Sequence, residues 1–149
     1  MLSIIHTFIS LPFSIVLENP VLIFISAAVF HLFADSLLHW NIYPHEMKRF
    51  PALLIALDVV GGLAVAIVVF GSTAFTLPIL VAIAGGNFPD ALHTSWDLLP
   101  KRTTRRAPRW VKSAFAFHNG LQHETYDVAR GLVWQIVLAV IALLVITLA

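Results

Sequence analysis

Seven histidines and eight carboxylates are scattered along a 149-residue chain, and many of them stand in stretches that are otherwise apolar. There is no cysteine, so any metal must be held by imidazole, carboxylate, backbone or water. Placing an ionisable side chain in hydrocarbon costs on the order of 3 kcal/mol on insertion scales. Such groups therefore face a bundle interior and serve a function there.

The run HLFADSLLHW spaces His31, Asp35 and His39 four apart. At about 100° per residue, the three fall on one helical stripe roughly 80° wide. His31 and Asp35 read as metal ligands. His39 is nearest the helix end, where it is either a ligand or solvated. Asp58 lies about 12 Å into the next apolar stretch, followed by Gly61-Gly62, where another helix can come close. It is either a ligand or a carboxylate that orients one.

The run GGNFPDALHTSWDLL brings Asp90 and His93 onto adjacent positions of one face. Pro89 cannot donate to the Gly85 carbonyl, which loosens the helix and turns Asp90 inward. Asp97 reads as a surface carboxylate. In FHNGLQHETYD, His118 and His123 are five apart, roughly 140° around a continuous helix. They converge on one metal only if the chain breaks at Asn119-Gly120. Asp127 could then hold His123, while Asn119 caps the following helix with Glu124 and Asp127 near its positive end.

The elements that carry these residues are membrane spans. The chain is 59% hydrophobic and only 11% charged, with a mean hydropathy of +0.89. A soluble domain of this size needs more charge to cover its surface. About 20 helical residues cross ~30 Å of hydrocarbon, and Pro51 to Phe70, Thr76 to Trp96 and Gly131 to Ala149 meet that length. Pro20 to Trp40 makes a fourth span if His31, Asp35 and His39 near its end are tolerated. Ile4 to Leu17, broken by Pro12, is left open between a fifth span, a half-helix and an interfacial helix. No Lys or Arg precedes this N-terminal run and no small-x-small site ends it, so it is expected to be retained.

The expected fold is thus an all-α, polytopic membrane helix bundle of four or five transmembrane helices, a single integral membrane domain over 1–149. Lys48 and Arg49 lie in one loop, and Lys101, Arg102, Arg105, Arg106, Arg109 and Lys112 in another; two spans separate them, and the turn Gly71 to Thr76 is uncharged. By the positive-inside rule both loops are cytoplasmic, in a bacterial-type plasma (inner) membrane, with Trp40, Tyr43, Trp96 and Trp110 as an aromatic belt. A net charge of +1 gives no reason to expect a nucleic-acid partner. The basic loop either fixes topology or binds anionic lipid head groups.

The motifs together resemble those of the bacterial membrane-bound metal-dependent hydrolases. GGNFPDALH is similar to that family's Pro-Asp-x-Asp-His element through Pro89, Asp90 and His93. HNGLQHE is similar to its His-Arg-Gly-x-Thr-His-Ser element through His118, Gly120 and His123. HLFAD followed by WNIYP is similar to its His-x3-Asp helix and turn through His31, Asp35 and Pro44. Leu92, Asn119 and Glu124 depart from those patterns, and the His-x3-Asp helix comes first instead of last. The resemblance implies a divergent relative.

The expected chemistry is hydrolysis of a lipid-like ester or phosphoester by a site for one or two divalent metals, zinc first and manganese or iron behind it. His31, Asp35, Asp90, His118 and His123 form the expected ligand set, with His93 and Asp58 as additions. Glu124 is the candidate general base, and the expected partner is membrane lipid. Two other classes use the same residues: a metal-binding or metal-transport protein that does not cleave, and a structural bundle glued by polar contacts. Transport needs polar groups at several depths, whereas these cluster on one side. Polar contacts between membrane helices contribute only about 0.6 kcal/mol each, a weak reason to keep so many.

Overall fold

The computed structural model describes residues 1–42 and 51–149, and every element of secondary structure longer than a single bridge among them is helical. Lys48, Arg49, Tyr43 and Pro44, used above for orientation, the aromatic belt and the resemblance, lie outside the described residues.

In chain order the helices are α1 (Ser3–Ser10), α2 (Phe13–Val16), α3 (Pro20–Ser36), α4 (Pro51–Phe70), α5 (Leu77–Asp97), α6 (Lys101–Arg106), α7 (Arg109–Leu121) and α8 (Val128–Leu148), with a 3-10 turn at Gly71–Phe75 between α4 and α5. Local chemistry sets several of these ends. Asn19 caps α3 by accepting from the Val21 and Leu22 amides, and Pro20 fills the first position, where no amide hydrogen is needed. Asp127 caps α8 through the Arg130 amide. Gly71 takes a positive φ of 59° to turn the chain between α4 and α5.

The first seventeen residues form two short helices parted at Leu11-Pro12. Eight helical residues rise only about 12 Å, so α1 is a half-helix. It is also the hub of the fold, packed against α3, α4, α5 and α8. Its backbone reaches that position because its neighbours present glycine. A Cβ on Gly62 would lie 2.7 Å from Thr7 Oγ1, and one on Gly86 would lie 2.8 Å from Ser10 Cβ and 2.9 Å from the His6 carbonyl oxygen. Gly85 admits α3 in the same way, since a Cβ there would meet the Phe24 carbonyl oxygen at 2.6 Å.

Among the described residues, two segments are long and apolar enough to cross a membrane: Leu53–Phe75, with a mean hydropathy of 2.7, and Val128–Leu148, with 2.6. The 17-residue α3 is apolar but shorter. The basic stretch expected as a loop is largely helical, being α6 and the start of α7. α7 then runs on through Asn119 and Gly120.

Candidate metal centre

Four helices converge on Asp35. Its carboxylate is fully buried near the end of α3, and His31 stands one turn earlier on the same stripe. His31 Nε2 lies 3.1 Å from Asp35 Oδ2 and 3.5 Å from Asp90 Oδ1 on α5. His6, from α1, places Nε2 3.1 Å from Asp35 Oδ1 and 3.9 Å from Asp90 Oδ2. His118, from α7, places Nε2 3.8 Å from Asp35 Oδ2 and 3.7 Å from Asp90 Oδ1. The Met1 amine donates to Asp35 Oδ1 at 2.8 Å.

The contacts between imidazole and carboxylate are close but are not hydrogen bonds. Nε2 of His6, His31 and His118, together with Asp35 Oδ2, are buried without a hydrogen-bond partner. A buried polar atom left unpaired costs about 1–3 kcal/mol, so four around one point need an explanation. Ligands at about 2.0–2.2 Å from a shared cation stand roughly 3.0–3.5 Å apart, which is the separation of the closest pairs here. His6, His31, Asp35 and Asp90 each offer an atom within 4.8 Å of the others, a set that could hold a metal ion.

Two of the rings, those of His31 and His118, are oriented for this, whereas both ring nitrogens of His6 are without a hydrogen-bond partner. His31 Nδ1 lies 2.7 Å from the Gly86 carbonyl oxygen. A carbonyl only accepts, so Nδ1 carries the hydrogen and, in the neutral ring, Nε2 carries the lone pair. α5 continues as a helix through Pro89, and the Gly86 carbonyl of its Pro89-containing half is the acceptor. His118 Nδ1 lies 3.1 Å from His93 Nδ1, and His93 Nε2 lies 3.5 Å from Asp97 Oδ2. If hydrogens run from His118 Nδ1 to His93 and from His93 Nε2 to Asp97, His118 Nε2 is again left as a lone pair. The His6 ring stacks on His31 at a centroid distance of 3.8 Å.

The expected site residues thus separate. His31, Asp35, Asp90 and His118 come together, with His93 behind His118. Asp58 stands apart: its Oδ2 accepts from the Ser3 amide at 2.7 Å and its Oδ1 from the Ile4 amide at 3.0 Å. It is a cap supplied by α4 to the open end of α1, and so it holds the helix that carries His6. The structure has no break at Gly120: α7 ends at Leu121, and a Cβ on Gly120 would meet nothing within 4 Å. Asn119 therefore lies inside a helix and does not cap one.

His123 is exposed and acts through its backbone. Its amide donates to the Asp35 carbonyl at 2.9 Å, and its own carbonyl accepts from the His39 amide at 3.0 Å. This pairing satisfies a carbonyl at the end of α3 that the helix leaves open. Glu124, the expected general base, accepts from Asn41 Nδ2 at 2.8 Å and lies 3.9 Å from His39 Nε2. His39 is fully buried, with Nδ1 2.8 Å from the Leu37 carbonyl oxygen and Nε2 3.8 Å from Asp35 Oδ1. It is a flank of the centre and not a solvated residue.

The residue that sequence reasoning misses is His6. It stands alone in an apolar run with no second ligand at helical spacing, and only the packing of α1 brings it to Asp35.

One wall of the centre is open. The Asp90 side chain is 34% exposed, and it lines a cavity of about 410 Å³ together with Asn41, Asn87, His93 and Gln122. On the far side, His118 forms part of the wall of an apolar groove of about 620 Å³. Set beside known proteins, the chain matches no family model, no curated protein and no solved structure.

Proposed function

We propose that the protein is a membrane-embedded, metal-dependent hydrolase acting on a lipid-like ester or phosphoester near the cytoplasmic face. The observation that carries this reading is the convergence of three unpartnered imidazole nitrogens and two carboxylates beside an open cavity that Asp90 lines. A purely structural polar cluster closes its hydrogen bonds internally, whereas this one leaves ring nitrogens and a carboxylate oxygen unpaired around one point.

His6, His31, Asp35, Asp90 and His118 would hold the ion. Nitrogen and oxygen ligands without sulfur suit zinc, with manganese or iron(II) next. A bound divalent ion lowers the pKa of water toward 7 and polarises an ester or phosphoryl oxygen. The protein's own groups do the rest. Gly86 and His93 fix the His31 and His118 rings, and Asp58 fixes α1. Asp90, on the open wall, faces the side from which water and substrate arrive.

The membrane reading rests on the spans. A soluble core helix is mostly buried, but the apolar stretch within Leu53–Phe75 is only 11% buried and that within Val128–Leu148 only 22%. In the bundle we infer, α3 and α5 cross beside α4 and α8. α3 rises about 25 Å and α5 about 31 Å, and polar residues concentrate at the end of each that borders the centre. The cationic α6–α7 segment then marks the cytoplasmic side, and the motif resemblance to membrane-bound metal-dependent hydrolases points to the same chemistry.

Elemental analysis of the purified protein tests this, with a His31→Ala/His118→Ala variant beside it. We expect bound zinc, manganese or iron in the wild type, little in the variant, and hydrolysis of lipid esters or phosphoesters that a chelator abolishes and added metal restores. A wild type that holds no metal and takes none up would overturn the site. Metal uptake without hydrolysis of any lipid ester would leave a binding protein instead.

A further inference from the structure

The apolar groove lies between α3, α5 and α7, lined by Val29, Leu32, Leu92, Ala114 and Phe117 among others, with His118 in its wall. Its volume of about 620 Å³ is in the range of small-molecule sites. On the other face of α7 is a separate cavity of about 410 Å³, lined by Arg105, Lys112, Thr104 and Asn119 and also by the carboxylate-bearing Asp97. Phe115 borders both cavities, and its ring stacks on Trp96 at a centroid distance of 4.4 Å. An apolar trough and a cationic pocket therefore share one aromatic wall, and the candidate centre touches both, through His118 at the trough and through His93 at the pocket.

We propose that the groove seats an acyl chain of an anionic glycerolipid whose phosphate lies in the Arg105–Lys112 cavity. This names the substrate class and rests on the hydrolase reading for its purpose. Three observations select this occupant. The trough is continuous with the centre at His118, so a chain in it lies against the reacting region. The adjoining pocket sets Arg105 and Lys112 against the single carboxylate of Asp97, a net positive charge that favours a phosphate over a neutral head group. Leu92, Val29 and Phe117 are 47%, 60% and 61% exposed, so the groove stands open along its length for a chain to enter.

Retention of dioleoyl phosphatidylglycerol and dioleoyl phosphatidylcholine by the detergent-solubilised full chain, read by native mass spectrometry, decides the matter. The wild type should hold the anionic lipid at least tenfold more strongly. Ala114→Phe and Val29→Trp fill the trough from exposed positions, and either should lower retention of the anionic lipid at least tenfold with metal content and elution unchanged. Arg105→Gln should bring the two lipids to parity. Wild-type retention in both groove-filling variants, or equal retention of both lipids by the wild type, overturns the proposal. Because binding is read without turnover, a wild type that holds the anionic lipid but no metal leaves the groove in place and removes the metal reading.

Discussion

His6 and His123 show how poorly residue type alone identifies a ligand. Both are histidines in plausible surroundings, yet one is fully buried with Nε2 3.1 Å from Asp35, and the other is exposed and uses only its amide and carbonyl. The two should therefore differ in effect. His6→Ala should weaken metal binding by ~100-fold or more, because a donor is lost. His93→Ala removes the group that orients His118 and should cost ~10–100-fold, the usual effect of losing an orienting partner. His123→Ala should leave affinity unchanged. Competition against a chromophoric chelator measures all three, and a His123→Ala defect as large as that of His6→Ala would mean the imidazoles are arranged differently. The pair His31 and Asp35 was legible in the sequence because four-residue spacing on one helix puts two side chains on one stripe whatever the rest of the chain does.

At the scale of elements, glycines decide which helices touch. Gly86 is where α1 crosses α5, and an added Cβ has no room beside Ser10 and the His6 carbonyl. Gly120 lies in a helix with open space around it. Gly86→Ala should destabilise the protein by about 1–3 kcal/mol through overpacking and should shift His6. Gly120→Ala should be neutral or stabilising by up to about 1 kcal/mol, since alanine restricts the unfolded chain and suits a helix interior. Thermal unfolding in detergent separates the two, and a Gly120→Ala variant that loses both stability and metal would restore the break expected from its sequence. The spacing of His118 and His123 suggested that break, but it was drawn from the assumption that both imidazoles bind. Once His123 contributes its backbone alone, α7 can stay helical through Gly120 and still deliver His118.

For the whole molecule, orientation has a direct test, because the chain contains no cysteine to remove first. Single cysteines at Ser72, in the uncharged turn between α4 and α5, and at Ser113, on α7, should be labelled by a membrane-impermeant thiol reagent from opposite sides. Ser113→Cys should react only once the cytoplasmic face is opened, and Ser72→Cys in intact cells. Labelling of both from the same side would contradict the bundle we infer.

The sequence by itself determined the helical class, the helices α3, α4, α5 and α8 to within a few residues at most ends, and four side chains of the cluster. Those features follow from hydropathy and from three- and four-residue spacing, which are local properties of a helix. Tertiary structure alone decided that a half-helix of eight residues sits at the middle of the bundle and brings His6 to Asp35, that Asp58 caps that half-helix, and that His123 pairs through its backbone. Each of these joins residues more than 25 positions apart, and no periodicity within one element encodes such a contact. The seating of α1 depends on Gly62 and Gly86 leaving room for its backbone, which only the packed molecule shows.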